Sequence, residues 1–502
     1  MDTRGGVLLT GATGFLGRYL LRNLLSAGKR VAVLVRPTRT ATCADRVEEV
    51  LEFAQSTVGT YLPQPTILAG DLRERDLGLS HADRVWLSRR CDSVVHAAAC
   101  VSFRTSPDGE PHTTNVLATH RLVDLCARGG IRELHHVSTA FVCGQRLGPI
   151  LESEVECGQT FHNEYEQSKL AAELAVRSAR SIRSTIYRPS VIVGDSLTGY
   201  TGSYHGVYKF LELAHRLAQP GNEMGRRILP LRLPFAGDEL RNLVPVDWVA
   251  EAITRIVGSI ALHGRTYHLT NPQPATVRDI KEIAVEELQI DGVELVDRMA
   301  DPNAIERAFL QGIADYFPYL TSDPVFNSRN TRTALPDLPC PQVDRERIRI
   351  LVRFAIRDNW GRGKRKPTPR SALQCGDYLE RYFPAAVTQS PLARIPLDTT
   401  LGFDIRGPGG GRWICRLSGG QVISVRDSAE RPDVEYRMGV QTFAAVVSGR
   451  ETPQTAFFNH QIEIAGNVED GLKLALLFGE FVRDFPYSPC SQEEHDDATL
   501  PD

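Results

Sequence analysis

Tyr165 and Lys169 stand four residues apart in "EYEQSKLAAE" (164–173). That spacing stacks two side chains on one face of a helix. An unperturbed phenol titrates near ~10, too high for ready proton exchange at neutral pH. A cation beside it favours the phenolate and draws it toward the working range. Upstream, Ser138 and Thr139 lie in "ELHHVSTAF" (133–141), which reads as a strand and its exit. A hydroxyl at a strand end can hydrogen-bond the same oxygen that the phenol protonates, and Thr139 or Ser138 could supply it. Tyr-x-x-x-Lys also arises as a core aromatic beside a surface lysine. The neighbouring elements decide between the two by building a ligand cleft or not.

The first such element is "LLTGATGFLGRYL". It sets Gly11, Gly14 and Gly17 between a strand, "GVLLT" (6–10), and a helical pattern, "FLGRYLLRNLLSAG" (15–28). Glycine lets a pyrophosphate approach the backbone, and the free N–H groups and dipole of a helix start favour an anion. Thr10, Gly11, Thr13, Gly14, Phe15, Leu16 and Gly17 are the candidate dinucleotide contacts. The second strand, "RVAVLVR" (30–36), ends on Arg36, with Arg39 close by. An acid there would hold the ribose hydroxyls of NAD, whereas cations suit the 2′-phosphate of NADP, so NADPH is the expected cofactor. Asp71, followed by Leu72, ends "TILAGDL" (66–72), where a carboxylate can meet an adenine amino group. Ala97 and Ala98 end "SVVHAAA" (93–99) on the same side.

These strands alternate with helices, and "STIYRPSVIVG" (184–194) continues the series. Alternation implies a parallel sheet covered on both faces, doubly wound, with ligands at the carboxyl ends of its strands. The chain has 502 residues, 24% of them charged, and a net charge of −3. No basic field points to nucleic acid. The ten cysteines are scattered without a Cys-x-x-Cys pair, and His135 and His136 have no ligand partners at metal spacing, so no metal site is expected. No apolar run reaches the roughly 18 residues of a membrane span, and no N-terminal leader is legible. A cytoplasmic location is the expectation, and transient contact with a membrane surface is compatible with it. The expected organisation is 1–295 for a dinucleotide-binding domain with an interleaved substrate subdomain. A helical extension (296–360), a basic Pro/Gly linker (361–370), a small α+β domain (371–488) and an acidic tail (489–502) follow.

The glycine loop, "HAAA" (96–99), Asn115, "VSTAFVCG" (137–144), "YEQSK" (165–169) and "YRPSVIVG" (187–194) occur in an order that resembles the extended short-chain dehydrogenase/reductase superfamily. The resemblance implies a Rossmann-type fold in which Thr139, Tyr165 and Lys169 are catalytic and Asn115 supports them. It also implies that Lys169 holds the nicotinamide ribose and that Arg188, Pro189 and Val191 lie against the cofactor. "FHNEYEQSK", "RPSVIVGDSLTG" and "LVPVDWVAEAI" are most similar to the thioester-reductase and fatty-acyl reductase branch.

The last domain resembles the sterol carrier protein 2 (SCP2) fold through "GGRWICRL", "DVEYRMG" and above all "SGRETPQTAFFNHQIEIAGN". That resemblance implies a five-stranded sheet with helices enclosing an apolar tunnel, and Phe443, Val446, Leu472, Leu476 and Phe478 could line one apolar face. A solid core serving dimerisation would read the same way. The expected partners are acyl-CoA, an acyl carrier protein or a sterol-like lipid. The expected activity is reduction of a lipid thioester to aldehyde or alcohol. The same residues could instead serve a hydroxysteroid dehydrogenase, or a lipid-binding protein that only senses NADP(H).

Overall fold

A computed structural model describes residues 5–38, 41–59, 62–219, 226–364, 375–395, 398–407, 409–426 and 430–487. Arg39, most of the expected linker and the acidic tail lie outside these residues.

Five strands and five helices open the fold: β1 (Gly6–Thr10), α1 (Phe15–Ser26), β2 (Arg30–Val35), α2 (Cys43–Val58), β3 (Thr66–Ala69), α3 (His81–Arg90), β4 (Cys91–His96), α4 (Ala118–Gly129), β5 (Glu133–Val137) and α5 (Glu164–Ser178). With strands Arg183–Pro189 and Thr266–Leu269 they complete a seven-stranded sheet. Its order is Thr266–Leu269, Arg183–Pro189, β5, β4, β1, β2, β3. Every pairing is parallel. Alternate residues feed opposite cores. Val7, Leu9, Val31, Val33 and Val35 pack in one cluster with α1, α2 and the helix Val246–Val257. Leu8, Ala32 and Leu34 pack in the other with Leu87, Leu122, Leu125 and Val176 of α3, α4 and α5. Each fully buried Leu or Val contributes about 1.5–3 kcal/mol, which fixes register because a one-residue slip exchanges the faces. The strand order reverses at β1, between β2 and β4. The carboxyl ends of all seven strands therefore share one edge, and the crevice opens where β1 meets β4.

The expected strand 184–194 is two strands. Arg183–Pro189 stays in the main sheet, while Val191–Val193 pairs in parallel with Leu243–Pro245. Pro189 carries no N–H to extend a ladder, and the break falls at Ser190.

Contacts divide the chain into two compact units that interleave in sequence. The first comprises Met1–Leu211, Phe235–Leu288 and Asp315–Gly363; the second, Glu212–Pro234, Gln289–Ala314 and Lys364–Asp502. This differs from the expected boundaries at 295 and 360. Strands Arg227–Leu233 and Ile290–Leu295 pair with each other away from the main sheet. A two-stranded ribbon has to bury a face elsewhere. It packs with helix Ala304–Gly312, which meets helix Val468–Asp484 of the C-terminal domain. Within that unit Arg216 donates to the Ile462 carbonyl at 2.7 Å and to the Phe457 carbonyl, and Glu212 Oε2 lies 2.5 Å from His460 Nε2.

The C-terminal sheet has five strands in the order Gln421–Arg426, Gly411–Ser418, Thr399–Arg406, Val434–Gly439, Ile462–Gly466. All pairs are antiparallel except Thr399–Arg406 with Val434–Gly439. A widened helical turn, Asp377–Tyr382, runs into helix Phe383–Gln389 and covers the sheet; sequence reading placed no element there. Phe443, Val446 and Leu472 are buried as expected, and Phe478 is half-buried. Leu476, expected to line the apolar face, is 54% exposed on the solvent side of its helix.

Candidate active site

The glycine loop leaves β1 and enters α1 with two contacts that only glycine allows. Gly11 has φ +75°, and a Cβ there would meet Ala97 and Ala98 backbone atoms at 2.6–2.8 Å. A Cβ on Gly17 would sit 1.9 Å from the Gly11 carbonyl oxygen. Gly14 is the N-cap of α1, so no side chain caps this helix, and its first turn holds no acid. The N–H groups that a cap would occupy stay open, which suits the pyrophosphate of a dinucleotide. Thr10 ties the loop to β4: its backbone carbonyl accepts from Ala97 N–H at 3.3 Å, and its hydroxyl lies 2.7 Å from His96 Nδ1. His96 Nε2 reaches Thr119 Oγ1 at 3.0 Å, and burial, aided by Lys169, brings His96 down to about 3. His96 is thus a neutral structural bridge. Phe15 and Leu16 pack on the core under α1, and Leu72 packs on the opposite cluster.

Arg36 is 55% exposed at the end of β2, with Asp71 3.7 Å away. Asp71 is also gripped by Arg73 at 2.8 Å. Bonds from Arg73, with Arg36 adding, hold the Asp71 carboxyl below its ordinary range against burial. Asp71 is therefore an ion-paired residue of the rim. A cation that sequence reading missed stands here. Arg46 of α2 donates to Thr13 Oγ1 at 2.8 Å and to the Arg36 carbonyl at 2.6 Å. Its signal was one arginine in the first turns of the helix after β2, too common to single out.

At the ends of β4 and β5 the catalytic candidates come together. Asn115 is buried; its carboxamide accepts from Cys100 N–H at 2.8 Å and donates to the Cys100 carbonyl at 3.0 Å and to Ser168 Oγ at 2.9 Å. It thereby joins the loop after β4 to α5. Thr139 Oγ1 accepts from Phe141 N–H at 3.3 Å and donates to the Pro189 carbonyl at 3.4 Å. Lys169 is 2% exposed and donates to the Val137 carbonyl at 2.6 Å. Burial lowers its ammonium to about 8, with Glu173 opposing. The Tyr165 ring is half-buried, and among the described residues its hydroxyl has no hydrogen-bond partner. Burial pushes the phenol above its ordinary value, and Glu166 and Cys100 add to the shift. Lys169 is not among the groups that shift the phenol, and its ammonium donates to the strand-end carbonyl.

Arg188 departs from the expectation of a cofactor contact. It is 1% exposed and gives Glu173 two bonds, at 3.1 and 2.7 Å, while Arg177 gives Glu173 two more, at 2.9 and 2.7 Å. Burial pushes Glu173 up, but the two arginines outweigh it and hold the carboxylate below its usual range. Arg188 is an internal tie between α5 and its strand. Pro189 offers the carbonyl that Thr139 uses, and Val191 packs beside Phe141, Ile150 and Phe326. Ser138 and Ser190, at the ends of adjacent strands, have buried hydroxyls without a partner among the described residues. Ser190 was not singled out from the sequence. Unfilled hydrogen-bonding capacity at a strand edge suits a polar ligand group. Nine described cysteines are free thiols, and no cluster of three or more metal-ligating side chains occurs among the described residues.

Residues 9–253 match the male sterility protein family of NAD-binding domains, and residues 386–479 match the SCP-2 sterol transfer family. A nonribosomal peptide synthetase of Aspergillus flavus, asaC, is 28% identical over 56% of this chain and 27% of its own length. The aldehyde reductase lnaA of the same fungus is 27% identical over 70% of this chain and 36% of its own length. The chain thus spans about a third or less of these relatives. Among solved structures, the terminal R domain of the myxalamid PKS-NRPS pathway superposes with a TM-score of 0.57 at 27% identity. It covers 72% of this chain and 92% of that domain.

Proposed function

Because this chain is an extended short-chain dehydrogenase/reductase, an NAD(P)-dependent oxidoreductase fused to an SCP2-type domain, we propose that it uses NADPH to reduce a lipid carbonyl, foremost an acyl thioester. The observation that carries this reading is Tyr165: a half-buried phenol without a hydrogen-bond partner among the described residues, one turn of α5 from Lys169, whose ammonium is tied to the end of the strand that leads into Thr139. The cradle suits a dinucleotide, since Gly11 and Gly17 leave no room for side chains and α1 has no cap. Arg36 and Arg46 support a 2′-phosphate at the rim. When bound, the reduced nicotinamide supplies the hydride for the carbonyl carbon. Thr139 orients the carbonyl oxygen and Tyr165 delivers its proton. Lys169, about 8 and buried, can hold the cofactor's ribose and support the phenolate left after transfer. A reduced thioester then collapses to aldehyde and free thiol, from CoA or a carrier protein. The synthetase and aldehyde reductase relatives support this choice of substrate.

The SCP2-type domain would hold the apolar chain. The Tyr378 hydroxyl supports that role: it is buried in an aromatic cluster with Phe383 and Phe443 and has no partner among the described residues. The test is incubation with NADPH and a long-chain acyl-CoA. Thiol release coupled to NADPH oxidation is expected, one thiol per NADPH for an aldehyde product and one per two NADPH for an alcohol. The match to a sterol transfer family favours a second reading, a hydroxysteroid dehydrogenase. Turnover of a 3-ketosteroid without thiol release from any acyl-CoA would select it.

A further inference from the structure

The C-terminal domain pairs its buried polar side chains, with one exception. Among the described residues from 375 onward, the Tyr436 hydroxyl donates to the Gly471 carbonyl at 2.7 Å. Trp413 Nε1 donates to Glu380 Oε1 at 2.7 Å, and the Ser390 hydroxyl donates to the Val387 carbonyl at 2.9 Å. Tyr378 is 0% exposed, and its hydroxyl is the one buried side-chain nitrogen or oxygen in that range without a partner. Its ring centroid lies 5.2–5.9 Å from those of Tyr382, Phe383, Phe443 and Tyr487. A hydroxyl that gives up water and gains no bond is costly, and such groups are rare in folded proteins. Tyr378 sits in the widened turn Asp377–Tyr382, and turns of this kind recur at functional sites. That turn precedes residues 386–479, which match the sterol transfer family, so the family likeness does not account for it.

The surroundings decide what would satisfy this hydroxyl. Among the described residues from 375 onward no charged side chain is buried. A carboxylate or a CoA phosphate brought inside would lose its hydration and meet no cation. An alcohol would bring an O–H of its own. Two hydroxyls that bond to each other leave one hydrogen over, and no second open polar side chain is there to take it. A carbonyl brings an acceptor and no donor, so a single bond from Tyr378 leaves no hydrogen unpaired. We propose that the C-terminal domain carries the long-chain aldehyde released by the reduction, with Tyr378 as the specificity-determining donor to its carbonyl oxygen. This rests on the reading that the domain holds the apolar chain and that an aldehyde is formed. It makes the product, rather than the thioester, the ligand of this domain.

The experiment is equilibrium binding of hexadecanal, hexadecan-1-ol, palmitate, palmitoyl-CoA and cholesterol to the full chain without NADPH, in the wild type and in Tyr378→Phe. Hexadecanal is expected to lose about tenfold in affinity in Tyr378→Phe. Palmitate and palmitoyl-CoA are expected to bind the two proteins equally. The substitution removes a hydroxyl that has no partner, so the melting temperature of the ligand-free chain should stay the same or rise. A clear fall would give the hydroxyl a structural partner and overturn the proposal. Equal binding of hexadecanal to both proteins overturns it as well, and so does a loss for palmitate as large as that for hexadecanal. Cholesterol or hexadecan-1-ol bound more tightly than hexadecanal, and weakened in Tyr378→Phe, makes the ligand an alcohol and overturns the choice of a carbonyl. If no probe binds, the reading of the domain as a lipid holder fails and this proposal fails with it. Lipid binding indifferent to Tyr378→Phe sinks this proposal alone. Hexadecanal bound through Tyr378 by a chain that releases no thiol from any acyl-CoA keeps the site and overturns its role as product carrier.

Discussion

The reductase unit and the SCP2-type domain bury different things. At the strand edge of the first, Lys169, Glu173, Arg188, Glu166 and His136 are all 2% exposed or less. Ser138, Ser190 and both ring nitrogens of His136 have no partner among the described residues. In the second, among the described residues from 375 onward, Ser390 is buried with its hydroxyl bonded to the Val387 carbonyl, Tyr378 carries the one buried hydroxyl without a partner, and Trp413, Tyr378, Phe383 and Phe443 fill the interior. Desolvated charges and unpaired hydroxyls cost stability, and they are tolerated where chemistry uses them. An aromatic interior stabilises its domain and recognises shape and apolarity. On the function proposed above, one region would serve proton transfer and the other would hold a greasy ligand.

The sharpest way to break that contrast is Tyr165→Phe. Loss of the proton donor should lower kcat by about 10²–10⁴-fold with an unchanged melting temperature. Residual turnover near the wild-type level would remove the reductase site from the comparison. Phe443→Ala should have the largest effect on the other side. Phe443 is 1% exposed and packs on Tyr378 and Phe403. Truncation should cost the C-terminal domain about 3–5 kcal/mol in urea unfolding, with kcat for a short-chain thioester retained.

Lys169 offers a test with a sign. Burial lowers it from 10.5 to about 8, so between those values the unfolded chain binds the extra proton. Stability should therefore rise as pH increases from about 8 toward 10.5, and the full penalty, about 3 kcal/mol, is present below pH 8. Lys169→Met should abolish turnover, raise stability at neutral pH and flatten that rise. A wild-type stability curve that is flat across the window would show that the ammonium is not desolvated. The smallest effect belongs to the rim. Arg46→Ala should raise KM for NADPH about tenfold, by about 1.5 kcal/mol of a charge-assisted bond, and leave KM for NADH unchanged. Equal losses for both cofactors would make Arg46 a loop tie and no more.

Much of the first region was legible because its signals are local. Gly11, Gly14 and Gly17 mark a backbone that must pass close to something, and Tyr165 and Lys169 need only one helical turn to become neighbours. Arg188 shows the limit. The family resemblance set it against the cofactor, but its direction was set by Glu173 and Arg177, fifteen and eleven residues earlier on another element. Leu476 shows it again: its apolar character gave no hint that its face of the helix would be exposed. Tyr319 could not be read at all. Its link to Glu166 spans 153 residues and depends on where a short extension packs.

The sequence by itself determined the order of the strands and helices, the glycine cradle, the Tyr165–Lys169 face and the presence of a second, α+β domain. Each of these follows from spacing within a few residues, where covalent geometry leaves few choices. The tertiary structure alone decided which charges became partners: Lys169 with Val137, Arg188 with Glu173, Glu166 with Tyr319. It also decided that segments 212–234 and 289–314 pack in the second unit. Those outcomes depend on which distant surfaces exclude water from each other, and a local pattern of residues carries no record of that.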